Sequence, residues 1–190
     1  MKKRIEADHA GKIVLLVTVA ISILCFASCG KPAFSENDIF AEYRISPSWG
    51  ALDLMYDTVY QVYGDGRLIL FASPHSENLP DKIFETEIEL SDVDIKELQD
   101  IIAEADFMSL KKNVTSPSDD GDYHTITVTT KTRVHEVSGL NPDNSRFTEV
   151  AKAIRALVPE QDAREWRNDV YDFLEAESSK ASSEPPVPEY

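Results

Sequence analysis

From residue 38 onward the chain alternates between two hydrophobic periods. Segments of period two predict strands, and segments of period 3.6 predict helices. Ile39–Ser46 partly alternates and reads as an early strand before the Pro47–Gly50 break. Tyr56–Tyr63 is rich in aromatic and β-branched residues, and Arg67–Ala72 is strongly apolar. Gly64-Asp65-Gly66 lies between them, so the pair reads as a hairpin whose glycines supply the positive φ of the turn. Lys82–Leu90 sets Ile83 or Phe84, then Thr86, Ile88 and Leu90, against Glu85, Glu87 and Glu89. That pattern predicts a half-buried strand with one acidic, solvated face. Tyr123–Thr130 and Arg133–Ser138 form a second hairpin around Lys131-Thr132, with its register open.

Helical spacing takes over in three places. Ser91 and Asp94 make a capping pattern before Ile95, Leu98, Ile101, Ile102 and Ala105, which predicts a helix over 92–105. Phe147, Val150, Ala151, Ile154, Leu157 and Val158 form the cleanest amphipathic stripe in the chain, stopped by Pro159. Glu160–Ser178 places Ala163, Trp166, Val170, Phe173 and Leu174 on one side of a third helix. Ser179–Tyr190 is polar and Pro-rich and predicts a disordered tail. The expected fold is α+β. It has a mainly antiparallel sheet of about five or six strands, two helices on one face and a C-terminal amphipathic helix. No period of 20–50 residues repeats, which excludes solenoids and propellers.

The N-terminus follows another logic. Lys2, Lys3, Arg4 and Lys12 precede thirteen uncharged residues, Ile13–Cys25. A basic start, a short apolar stretch and small residues make a secretory signal, and the stretch is shorter than the ~20 residues a spanning helix needs. Ala27-Ser28-Cys29-Gly30 resembles the lipobox of bacterial lipoproteins, with Phe26 where Leu is usual. That resemblance implies acylation of Cys29 and cleavage just before it. Cys25 then leaves with the signal, so no intramolecular disulfide can form. The expected organisation is signal peptide 1–28, lipidated Cys29 with a tether to residue 37, α+β domain 38–158, C-terminal helix 159–178 and tail 179–190. Eight flexible residues after Cys29 would span ~15 Å.

Charge narrows the partners. The 190 residues hold 19 Lys+Arg and 34 Asp+Glu, a net of −15. Such a surface repels phosphate backbones, so no nucleic-acid partner is expected. The 42% hydrophobic content is enough for a packed core.

Three elements carry a wider resemblance. They are the hairpin Val62–Arg67, the helix ending Glu104-Ala105-Asp106-Phe107-Met108-Ser109-Leu110, and Asp122–Val128; the closing helix Phe147–Val158 completes them. Over residues 56–158 this order resembles a group of uncharacterised bacterial lipoproteins and exported domains. Its pattern is a DGR hairpin, a helix ending in Asp-Phe-Phe, a Thr-rich strand pair and a short closing helix; Met108 stands where a second Phe is frequent. The resemblance implies export and an element order, and no catalytic residue.

Candidate chemistry is sparse. His75, His124 and His135 lack the close spacing of a zinc site, and ordinary strand and surface histidines account for them. Asp119, Asp120 and Asp122 could hold a calcium ion, but the loop lacks EF-hand spacing and reads more simply as a solvated turn. No G-x-S-x-G elbow or phosphate-cradling glycine loop is present. Trp166, Val170, Phe173 and Leu174 either dock on their own domain or present a face to a partner protein. The expectation is a membrane-anchored, extracytoplasmic lipoprotein acting as a non-catalytic binding or interaction module. It needs no cofactor, and its partners are the membrane, through the lipid, and an envelope protein. The alternatives are a small cell-envelope hydrolase using paired carboxylates such as Glu85, Glu87 and Glu89, or a calcium-responsive module.

Overall fold

The computed structural model describes residues 32–34, 38–47, 55–117 and 120–183. The compact unit that holds every element below begins at Ala33. Its strands are β1 (Ile39–Pro47), β2 (Tyr56–Tyr63), β3 (Arg67–Pro74), β4 (Ile83–Glu89), β5 (Asp122–Thr129) and β6 (Val134–Leu140). Its helices are α1 (Asp92–Glu104), α2 (Ser145–Ala156) and α3 (Glu160–Ser183), with a 3-10 turn at Phe107–Ser109. The fold is α+β, with one six-stranded sheet ordered β4-β3-β2-β1-β5-β6. All five strand pairs are antiparallel.

Local chemistry explains most of the boundaries. The β2–β3 turn places Gly66 at φ +96, a left-handed value that glycine adopts without strain. The Gly66 carbonyl then accepts from the Leu90 N–H at 2.7 Å, where an added Cβ on Gly66 would press on the Leu90 oxygen at 3.0 Å. The β5–β6 register, open in the sequence, pairs Val128 with His135 around Lys131-Thr132. At the head of α1, Ser91 Oγ accepts from the Asp94 N–H, and the Asp94 carboxylate accepts from the Ser91 N–H. This is the expected capping box, worth about 1 kcal/mol. Asp106, at φ +45, turns the chain out of α1. Arg146 of α2 donates to the carbonyls of Ala105 and Asp106, just past the end of α1.

The alternation of the strands divides the apolar residues into two sets. Tyr43, Tyr60, Val62, Leu70, Ile126 and Val137 join Leu98 and Ile102 of α1 and Phe147, Val150 and Ile154 of α2 in one core. Val59, Ile69 and Phe71, which alternate with that set, form a smaller cluster with Tyr63 packed against it. Arg67 lies over the Tyr63 ring and Lys82 over the Phe71 ring, each at 4.4 Å.

Each sheet edge has part of its backbone engaged by another segment, which limits strand addition from outside. Residues 112–116 run beside β6, with Ser138 N–H donating to the Lys112 oxygen at 2.8 Å and Val114 N–H to the Ser138 oxygen at 3.0 Å. At the other edge α3 packs on β4, and the Trp166 indole N–H donates to the Phe84 carbonyl at 2.6 Å.

The structure decides two points that the sequence leaves open and departs from the sequence reading in two others. In β4 the register shifts between Leu70 and Ala72, and Phe84 takes φ +51. The inserted residue turns Phe84 outward to 36% exposure, and Ile83 packs on the core instead. The tether is shorter than expected: Lys131 N–H donates to the Ala33 carbonyl at 2.8 Å, and Phe34 meets Phe40 edge-on at 5.2 Å. An apolar ring in that segment gains by burial, so the domain starts before residue 38. The third helix runs to Ser183, five residues beyond the expected end, because Ser179 to Ser183 have no helix breaker. Finally, that helix packs into the main core, the docked one of the two readings the sequence leaves open. The signal, Cys29 and residues 184–190 of the tail lie outside the described residues.

Candidate functional site

Antiparallel pairing brings three rings into a row. Tyr43 of β1 is paired with Tyr60 of β2 on one side and with Ile126 of β5 on the other, with His124 two residues from Ile126 on the same face. Tyr43 stacks on Tyr60 at 5.9 Å and 21°, and on His124 at 5.9 Å and 15°. The Tyr43 hydroxyl and His124 Nδ1 are 2.7 Å apart. Tyr43 is only 1% exposed. Burial pushes its pKa up to about 12, with small additions from Tyr60 and Asp122 and a reduction by Arg155. The hydroxyl therefore keeps its proton, and we assign it as the donor to Nδ1. Burial also lowers the His124 pKa; the charge of Arg155 lowers it further and Asp122 opposes both. The ring is neutral, which assigns its own proton to Nε2.

Helix α2 closes this place from above. Phe147, Thr148, Ala151 and Arg155 share one of its faces by their spacing. With Tyr43, His124, Asn141 and Pro142 they line a pocket of about 290 Å³. Its corner is tightly built. Asn141 takes φ +41, accepts from the Asp122 N–H at 3.2 Å and donates to the Asp120 carbonyl. A Cβ on Gly121 would lie within 2.2 Å of the Asn141 side chain, so glycine is required there. Thr148 Oγ1 donates to the Asn144 carbonyl at 3.0 Å. Two donors remain without partners among the described residues, the Arg155 guanidinium and His124 Nε2–H.

No family model matches this chain, and no curated protein matches it significantly. The site is therefore read from its own geometry.

Two other places merit comparison with the pocket. A groove of about 380 Å³ runs between α1 and α2, lined by Leu98, Ile101, Ala153 and Leu157, with Asp94, Glu97, Glu149 and Lys152 around them. Its walls are aliphatic, and Lys152 is its only side-chain cation. A polar cluster joins β1 and β2. Asp57 accepts from Arg44 at 2.9 Å and from His75 at 2.7 Å. Burial works to raise the Asp57 pKa, but its hydrogen bonds to His75, Arg44 and Ser46 outweigh that and hold it below the ordinary value. A carboxyl held ionised in this way is a fixed ion-pair partner, not a general acid.

The sequence-predicted site residues fare differently. Cys29 and Asp119 lie outside the described residues. Asp120 is exposed and Asp122 opens β5, and among the described residues no three His, Cys, Asp or Glu converge on a metal position. Glu85, Glu87 and Glu89 are exposed along β4 and line neither the pocket nor the groove. Trp166, Val170 and Leu174 are buried in the core of their own domain, and Phe173 packs on Phe84 at 5.5 Å. Of the two readings of that helix, burial shows the docked one, because the stripe finds the bulged end of β4 to cover. His135, taken as an ordinary histidine, is one: it bonds the Leu110 carbonyl at 3.0 Å from a buried position. Among the described helices, none is long and apolar enough to cross a membrane.

Tyr43, Asn141 and Arg155 were not singled out in the sequence. One signal pointed to Arg155: it is a cation on the helix face adjoining the apolar stripe, in a chain short of cations. Only the pairing of β1 with β5 reveals what it adjoins.

Proposed function

We propose that the protein is a membrane-anchored extracytoplasmic lipoprotein that acts as a non-catalytic binding module. Its ligand site is the pocket lined by Tyr43, His124, Asn141 and Arg155. The observation that carries this reading is the pairing of a rigid floor with unused donors: stacked rings on three strands below, and Arg155 and His124 Nε2–H without partners. Binding sites of this kind are concave, mostly apolar and carry a few fixed polar groups. The hydroxyl of Tyr43 is no nucleophile, since its pKa of about 12 keeps it protonated. The anchor reading is supported by the run Ile13–Cys25 and the small residues before Cys29.

The anchor is tested by labelling cells with radioactive palmitate and partitioning the protein in Triton X-114. The native chain is expected to carry label and enter the detergent phase, and Cys29→Ser to do neither. Equal labelling and partitioning of the two would refute the anchor.

A further inference from the structure

The chemistry of the pocket selects its occupant. Arg155 offers five N–H donors and no acceptor, and His124 offers Nε2–H. The hydroxyls of Tyr43 and Thr148 are already engaged, with His124 and with the Asn144 carbonyl. The pocket therefore presents donors and asks for an acceptor. Arg155 has no hydrogen bond or ion pair to the described residues, and among the arginines it is the one that lines the pocket. Its neighbours in the pocket are Pro142, Phe147 and Ala151, which bring apolar surface beside it.

Size and charge narrow the class. About 290 Å³ is near the lower end of small-molecule pockets, roughly 300–1,000 Å³, so the ligand is compact. Asp122 acts on the same imidazole that faces the ligand. A second negative charge on the ligand would meet that carboxylate, which favours a monoanion over a phosphate ester. We infer that the pocket takes a small monocarboxylate with a compact apolar body. Its carboxylate sits against Arg155 and His124 Nε2–H, and its apolar part packs on Pro142, Phe147 and Ala151. This assignment rests on the reading of the pocket as the ligand site, and the experiment separates the two.

The probes are benzoate and 4-methylpentanoate, each compared with its neutral amide. Binding to the full chain in dodecyl maltoside micelles is measured by calorimetry and by ligand-observed NMR, with empty micelles as the blank. Each carboxylate is expected to bind about tenfold or more tightly than its amide, as a charge-assisted contact requires. Arg155→Gln, at an exposed position, is expected to fold normally and to abolish that preference. Ala151→Leu fills the pocket and is expected to remove binding of both members of each pair, with an unchanged circular dichroism spectrum as the folding control. Equal affinity for carboxylate and amide, or full carboxylate affinity in Arg155→Gln, overturns the monocarboxylate assignment. If that binding still disappears in Ala151→Leu, the pocket stands as a ligand site. Binding that survives Ala151→Leu, or no binding of any probe, overturns both.

Discussion

Replacing Trp166 tests whether α3 belongs to the core of its own domain. The indole is 8% exposed, donates to the Phe84 carbonyl at 2.6 Å and meets Tyr56 edge-on at 6.4 Å. Trp166→Phe keeps most of the apolar contact and removes the hydrogen bond, which costs about 1 kcal/mol. Trp166→Ala also loses the buried ring; such truncations cost about 3–5 kcal/mol, and an edge helix can settle inward, so the lower figure applies. A loss of about 3 kcal/mol leaves a domain of ordinary stability folded, since the usual total is about 5–15 kcal/mol. It lowers Tm by roughly 6–12 °C for a domain of this size. Urea unfolding of the full chain in mild detergent, followed by circular dichroism at 222 nm, measures both variants. The expected order is native, then Trp166→Phe, then Trp166→Ala. If Trp166→Ala lies within about 0.5 kcal/mol of the native chain, the range of surface substitutions, then α3 is not held by this face and the burial argument fails.

Two further predictions concern the sheet and its histidines. Gly139→Ala would put a Cβ 2.6 Å from the Thr115 nitrogen and 2.8 Å from the Val114 carbonyl carbon. Both are backbone atoms, so the variant is expected to lose about 1–3 kcal/mol, with faster amide exchange at Val114 and Ser116; unchanged exchange would refute the close approach. Stability is also expected to fall between pH 7 and pH 5. Burial is the first cause that holds the pKa of both His124 and His135 below the ordinary 6.5. The unfolded chain therefore binds protons that the folded one refuses, and stability is lost as pH drops through that window. A urea midpoint that holds steady from pH 7 to pH 5, or a slope unaltered by His135→Gln, would refute this.

Local rules made much of the fold legible. The Ser91–Asp94 box, the Gly64–Gly66 turn and the stripe from Phe147 to Ile154 each follow from neighbouring residues, and each is present. The long-range arrangement is not local. Nothing near Asp122 indicates that β5 returns to pair with β1, and that pairing alone brings His124 to Tyr43. The pocket joins positions 43, 124, 141 and 155, so no window of sequence contains it. The choice between Ile83 and Phe84 stays open in the sequence for a related reason. A strict alternation puts Phe84 inward, but a one-residue insertion in β4 reverses its face and gives Phe173 a partner.

The docking of Ala33 onto the β5–β6 turn fixes where the chain enters the domain. His124 lies near the start of β5 and Lys131 just beyond its end, so the entry point and the pocket belong to opposite ends of that strand. Whatever precedes Ala33 in the chain thus joins the domain at the far end of β5 from His124, and a change made to the ligand site leaves the point of entry untouched.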